Sequence, residues 1–274
     1  MQHFLITRFN LTNKTWSSGK KEPINLTSDW LNNRFQLFET YCLPSVLNQT
    51  NKNFIWLVLY DTKTPASFLE KINSYNSKLS NYKPVFIDGF NGLTTGLKDE
   101  ISKDLSNDSN FIITTRLDND DAIHKDFVAT IQQSFQPENG LLIDVVNGYQ
   151  MTIKTELADV REMRLRFNPF MSLVEDKNDF ETILSKSHNE FEKGKQKVKH
   201  IKKRLWLQVI HDSNKVNVEI NYLKRILDFK FEDFGLVPKK FQHTNSEIQL
   251  LNRKSFLVRN LEILKSSLKD FIGN

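Results

Sequence analysis

The sequence predicts an α/β fold: a mostly parallel sheet with helices on both faces, followed by a helical extension at the C-terminus. Three observations predict it. Apolar runs of strand length recur through the first half, each followed by a segment with helical spacing. The runs are continuous instead of alternating, the pattern of strands buried on both faces. Three of them, "NFIWLVLYD", "KPVFIDG" and "NFIITTRLD", reach an aspartate as they end.

In chain order, "HFLITRF" (His3–Phe9) reads as the first buried strand, and a polar loop runs on through "SSGKKEP". Ser28 is placed to cap a helix in which Leu31, Phe35, Phe38 and Cys42 recur at helical spacing, with Pro44 kinking it or starting a new turn. Asn53–Asp61 is the second strand, and "PASFLEKINSYNSKL" a helix opened by proline. "KPVFIDG" is the third strand, Gly96–Leu105 a helix, Asn110–Asp118 the fourth strand, and Ala122–Phe135 its following helix. Further on, "GLLIDVVNGYQMTIK" looks like two strands joined around Asn147-Gly148, and "RLWLQVIH" (Arg204–His211) like another. The remainder reads as mostly helical, ending in a helix with Leu257, Leu261, Leu264, Leu268 and Phe271 at 4-3-4-3 spacing. We expect one domain over residues 1–245, with 246–274 packed on it.

Composition narrows the function classes. The 274 residues are 39% hydrophobic and 26% charged, ordinary for a globular protein long enough to bury a sizeable core. No apolar run approaches the roughly 18–20 residues that span a bilayer, and the N-terminus lacks a secretory pattern. The single cysteine, Cys42, excludes an internal disulfide and a zinc site built on several thiolates, so a cytoplasmic setting is expected. The net charge of +5 is local: "KGKQKVKHIKKR" (Lys193–Arg204) carries seven Lys/Arg and no acid. That run reads either as a solvated loop or as a lid or contact for an anion, a glycan or the membrane surface.

In open parallel sheets, ligands bind beyond the carboxyl ends of the strands. Asp61, Asp88 and Asp118 should therefore gather along one edge. In "TTRLDNDDAI" three carboxylates, Asp118, Asp120 and Asp121, fall in four residues. Like charges this close need compensation. A hard divalent cation, Mn²⁺ or Mg²⁺, suits such oxygen donors. A solvated turn is the plainer reading of the same pattern. Arg116, two residues upstream, is placed to balance the acids or to touch a diphosphate.

Several phrases resemble one family. "SVLNQTNKNFIWLVLYDTKTP" (Ser45–Pro65) and "FIITTRLDNDDAI" are similar to the second βα unit and the D-x-D-D strand of family-2-type glycosyltransferases of the GT-A fold. "FLITRFN", "DWLNNRFQLFETYCLPS", "TRLDNDDAI" and "WLQVIHDSN" resemble a bacterial branch of these enzymes named for rhamnosyl transfer. The resemblance implies a GT-A fold, a nucleotide-diphosphate-sugar donor, a glycan or glycolipid acceptor, and a place in polysaccharide biosynthesis at or near the inner membrane face. It places Thr7, Arg8 and Asn10 at the nucleotide edge, Asp61 on the base or ribose, and Asp118, Asp120 and His211 around Mn²⁺ or Mg²⁺. The usual late Glu-Asp pair has its nearest counterpart in Glu175-Asp176, which would supply the base of an inverting reaction. The alternative is a non-catalytic module that binds anions or nucleic acid through Lys193–Arg204. That run lacks interleaved aromatics for base stacking, so nucleic acid is not the expected partner.

Overall fold

A computed structural model describes residues 1–13, 23–154, 156–212, 217–262 and 264. Among them, eleven strands form one sheet whose main path runs β10-β7-β6-β8-β4-β1-β2-β3. The strands are β1 (Gln2–Arg8), β2 (Ile55–Asp61), β3 (Tyr82–Ile87), β4 (Phe111–Arg116), β5 (Ala122–Ile123), β6 (Leu141–Lys154), β7 (Leu157–Arg164), β8 (Ser172–Asp176), β9 (Val198–Ile210), β10 (Lys224–Ile226) and β11 (Lys240–Phe241). The helices are α1 (Ser28–Leu37), α2 (Leu43–Leu47), α3 (Leu69–Ser74), α4 (Leu93–Lys103), α5 (Phe127–Gln133), α6 (His188–Glu192) and α7 (Asn245–Lys254).

The first four long strands pair in parallel, as expected. Their continuous apolar runs have the predicted cause. Along β2, Trp56, Val58 and Tyr60 enter one core, and Leu57 and Leu59 enter the core on the opposite face. Leu31 and Phe35 of α1 cover the first face, and Leu93, Leu97 and Ile101 of α4 cover the second. Aromatic rings dominate the first core: Phe35 stacks on Phe68 at 5.6 Å and Phe38 on Trp56 at 5.5 Å. Such pairs add roughly 0.5–1.5 kcal/mol each beyond area burial.

Beyond β4 the sheet departs from a simple parallel plan. β8 inserts antiparallel to both β4 and β6, and β6 pairs antiparallel with β7. Residues 140–154 hold one long strand, where two were expected. The Asn147-Gly148 pair marks a register shift against β9, not a turn. Gly148 is needed for closeness: a Cβ there would lie 2.1 Å from the Trp206 ring. That ring stacks on Phe170 at 5.0 Å and donates through Nε1 to the Val145 carbonyl.

Other boundaries move. Thr27, not Ser28, occupies the N-cap position of α1, without a side-chain capping bond, and a π-helical turn at Phe38–Cys42 carries the chain into α2 with Pro44 in its first turn. Ala122–Ile123 belongs to a short strand against Leu207 and Trp206, so the helix expected there begins only at Phe127. The basic run is no lid. From Val198 it is the first half of β9, hydrogen-bonded in parallel to β6. Two short strands, β10 and β11, interrupt the region read as mostly helical. After α7, Leu257, Leu261 and Leu264 are exposed, while Leu268 and Phe271 lie outside the described residues. Among the described residues, no helix is long and apolar enough to cross a membrane.

Candidate active site

The turn after β4 carries the acidic cluster, and its backbone is pinned from two sides. Asn119 donates to the carbonyls of Arg8 and Phe9 at the end of β1. The amide of Val209 in β9 donates to Asp121 at 2.9 Å. Pairing of Ala122 with Leu207 fixes the same register. His211 follows Val209 by two residues, so this stitching brings its Nε2 to 3.1 Å from Asp120 Oδ2.

Arginines supply the compensation that the sequence demanded. Arg116 grips Asp118 with Nη2 2.8 Å from Oδ2, and Arg8 stands 3.5 Å from Oδ1. Arg34 of α1 donates to Asp120 at 2.7 Å and to Asn119 at 3.0 Å, its guanidinium lying over the Trp30 ring. Burial would raise the Asp118 pKa, but the guanidiniums of Arg116 and Arg8 outweigh it and hold the carboxyl at about 2. Asp121 goes the other way. Burial, then the charges of Asp120 and Asp118, push it well above the usual range, and its Oδ2 has no hydrogen-bond partner.

The predicted site residues therefore divide. Arg8, Arg116, Asp118, Asp120 and His211 meet at the carboxyl edge of the sheet. Thr7, Asn10 and Asp61 instead hold the scaffold beneath it. Thr7 is fully buried and accepts from the Trp56 indole. Asn10 bridges Thr64 and the Asp61 amide. Asp61 is also fully buried, its oxygens taken by the Thr12 amide and hydroxyl and the Lys63 amide. Asp88 is a well-exposed neighbour of Lys63.

Glu175 and Asp176 are corrected as base candidates. Antiparallel β8 sets Glu175 opposite Ile112, near the start of β4. At roughly 3.3 Å per residue that is about 20 Å from Asp118. Glu175 is buried there and accepts the amides of Glu181 and Thr182 at 2.8 and 3.0 Å. Asp176 accepts the Asn178 amide at 2.8 Å.

Sequence reading missed Arg34 and His188. Arg34 flanks the apolar stripe of its helix, three residues after Leu31 and four before Phe38, a weak but real signal. His188 carries no pattern of its own. It enters because its ring and Arg116 line the same small cleft.

The site's fit to a divalent ion can be tested on distance. Two ligands on adjacent corners of an octahedron with bonds of about 2.1 Å stand about 3 Å apart. Asp120 Oδ2 and His211 Nε2 meet that spacing. Asp118 does not join them, being turned to Arg116 and Arg8. Among the described residues no three His, Cys, Asp or Glu side chains converge as a complete metal cage. Magnesium-type sites commonly take one or two protein ligands and complete their shell with phosphate oxygens and water, so two donors suffice. Arg34 already occupies Oδ2 and would compete with such an ion.

Residues 2–221 match the family described as "Putative rhamnosyl transferase". No curated protein sequence matches the chain. Among solved structures, S. aureus TarS in complex with UDP-GlcNAc is 14% identical over 81% of this chain and 62% of that one, with a TM-score of 0.45. TarS in complex with UDP is 16% identical over 77% and 61%, with a TM-score of 0.42. A "Putative Glucose-1-Phosphate Thymidylyltransferase" from Bacillus anthracis is 9% identical over 73% and 86%, with a TM-score of 0.36. The chain thus spans about three fifths of those two TarS chains. The family match takes in the acidic turn, all three arginines and His211, and the chain belongs to this rhamnosyl transferase family.

Proposed function

We propose that the protein is a glycosyltransferase that takes a nucleotide-diphosphate-sugar at the carboxyl edge of its parallel strands. It passes the sugar to a hydroxyl of a glycan or glycolipid with inversion at the anomeric carbon. The observation that carries this reading is the convergence of Arg8, Arg34 and Arg116, from three separate elements, on the acidic turn beside His211. Guanidiniums held in place before the ligand arrives suit a diphosphate, whose negative charge grows as the sugar departs. Arg8 and Arg116 are half-buried and reach the edge from β1 and β4, where the diphosphate would lie. Asp120 and His211 would hold Mn²⁺ or Mg²⁺, which when bound supplies Lewis-acid neutralisation of that charge. Membership of the family makes rhamnose the first donor sugar to try.

The basic run is tied down in part. Lys197 pairs with Glu138, Lys199 donates to the Ser134 carbonyl, and Arg204 is tied to the carbonyls of Gly148 and Met163. Lys193, Lys195, Lys202 and Lys203 stay exposed, but the run carries no interleaved aromatic on which bases could stack.

Calorimetry with UDP and dTDP, with and without MnCl₂, tests the reading. Wild-type protein is expected to bind at least one of them, more tightly with Mn²⁺. Asp120→Ala and His211→Ala should lose the Mn²⁺-dependent part and keep the rest. Absence of any nucleoside diphosphate binding by the wild-type protein overturns the proposal.

A further inference from the structure

With Glu175 and Asp176 at the wrong end of the sheet, the reaction needs another proton acceptor. The acids at the ligand edge are poorly suited. Asp118 is gripped by two guanidiniums, Asp120 is engaged by Arg34 and His211, and Asp121 is buried against β9. We propose, resting on the glycosyltransferase reading above, that His188 is the general base that deprotonates the acceptor hydroxyl.

Position is the first argument. His188 shares its cleft with Arg116, Asn168, Pro169 and Met171, on the side of β4 that faces β8 and away from the β1–β3 nucleotide side. The charges it senses are Arg116 and Asp118 from β4 and its turn, and Arg8 from β1. It therefore stands within electrostatic reach of the group assigned to the diphosphate, in a cleft too tight for a water molecule, so the acceptor must meet the ring at the cleft's rim.

Tautomer is the second argument. Nδ1 lies 3.0 Å from the Phe167 carbonyl oxygen. A carbonyl oxygen only accepts, so Nδ1 carries the proton and the lone pair of the neutral ring sits on Nε2. Burial and then Arg116 lower the pKa of the ring, which keeps that lone pair available at neutral pH.

The support beneath Phe167 is the third argument. Phe167 has φ +51°, an unfavourable conformation for a non-glycine residue. Fully buried Asp144 enforces it, accepting the Phe167 amide at 3.0 Å and the Asn168 side chain at 2.8 Å. Asn168, also fully buried, bonds to the carbonyls of Val145 and Leu165 and to the Phe170 amide. Strain held this firmly fixes the direction of one carbonyl, and that carbonyl fixes the imidazole. Asp144 is thus a positioning residue for His188.

The step balances simply. Nε2 takes the proton from the acceptor O–H as oxygen bonds to the anomeric carbon. The bond from that carbon to the diphosphate oxygen breaks, and the leaving nucleoside diphosphate keeps the electron pair beside Arg8 and Arg116.

The test uses the full chain, with dTDP-rhamnose and UDP-N-acetylglucosamine as donors and water as acceptor, from about pH 5 to about pH 9. His188→Gln should lower kcat for nucleoside diphosphate release by about 10²-fold and abolish the acid limb of the pH profile. UDP affinity by calorimetry should stay within about twofold, because the base does not hold the diphosphate. Asp144→Asn should lower kcat in the same direction, again with UDP affinity kept. Nitrogen-15 shifts, assigned by subtracting the His188→Gln spectrum, read the ring without turnover and should show a proton on Nδ1 only. A proton on Nε2 at neutral pH, a His188→Gln rate near wild type, or equal loss of rate and UDP affinity each overturns the assignment. Failure of the wild-type protein to bind any nucleoside diphosphate overturns the glycosyltransferase reading, and the base assignment falls with it.

Discussion

Two acidic pairs, Asp118/Asp120 and Glu175/Asp176, look interchangeable as text. Each follows an apolar strand, and each was a candidate for chemistry. In the fold they sit at opposite ends of adjacent strands, because β4 and β8 run antiparallel. The first pair meets three guanidiniums and an imidazole. The second meets backbone amides of a tight turn. A carboxylate facing side-chain cations can serve a ligand, whereas one saturated by main-chain donors holds a loop. Strand direction, which a strand's own residues do not record, decides between these roles.

The sharpest way to break this contrast is kinetic. Asp120→Ala should cut sugar transfer or donor hydrolysis by about 10²–10³-fold, the usual cost of removing a group that stabilises transition-state charge. Asp176→Asn should leave the rate near wild type. Equal losses in the two variants would mean that both ends of the sheet are catalytic.

Stability should show the reverse order. Glu175→Ala leaves the amides of Glu181 and Thr182 without their acceptor, in a turn where Thr182 already carries φ +73°. A loss of about 2 kcal/mol in denaturant unfolding is expected, since each buried unpaired amide costs about 1–3 kcal/mol, part of it offset by removing a buried carboxylate. An unchanged midpoint for Glu175→Ala would remove its structural role.

Between the two pairs runs a buried polar chain, His3 to Thr115 to Ser172, with side-chain distances of 2.8 and 2.6 Å. Burial lowers the His3 pKa from 6.5 to about 3, so the folded protein holds it neutral. Its contribution to stability is complete above pH 6.5 and is lost as pH falls toward 3, by about 1.4 kcal/mol per pH unit. His3→Gln should flatten this part of the acid unfolding curve. A slope unchanged by the substitution would show that other groups set the acid limit.

The smallest effect sharpens the metal side. Arg34 and a divalent ion claim the same Asp120 oxygen. Arg34→Met should therefore tighten Mn²⁺ binding by about fivefold, or about 1 kcal/mol, as expected for a partly screened cation nearby. Weaker Mn²⁺ binding in that variant would place the ion elsewhere.

Legibility followed burial. Strands β1, β2 and β4 were readable because both faces are buried, which writes a mostly apolar run, while β3, last on the sheet path, leaves Phe86 exposed. The D-x-D-D turn was readable because three acids in four residues demand an explanation, although the sequence did not say that arginines would provide it. His211 lies beside Asp120 because it directly follows a strand whose buried end reaches that edge. The antiparallel half was less readable. β8 has five residues, β5 and β11 only two, and such segments carry almost no periodicity. Thr7, Asn10 and Asp61 were assigned to ligand by position alone, and their hydrogen bonds to Trp56, Thr64 and Thr12 depend on neighbours far along the chain. His188 depends on a strained backbone carbonyl at Phe167, which no residue pattern announces.

The missing Cβ at Gly148 has a consequence for heredity. Any side chain there collides with Trp206, whose ring braces Phe170 at the end of the Phe167 loop. The two positions cannot drift independently. Gly148→Ala should be tolerated only in a background where Trp206 has already become smaller, and that first change forfeits the indole bond to Val145. Order of substitution then matters, with strong non-additivity between the two sites. Lineages that keep the tryptophan are locked to the glycine, and variation in the loop must arise elsewhere along it.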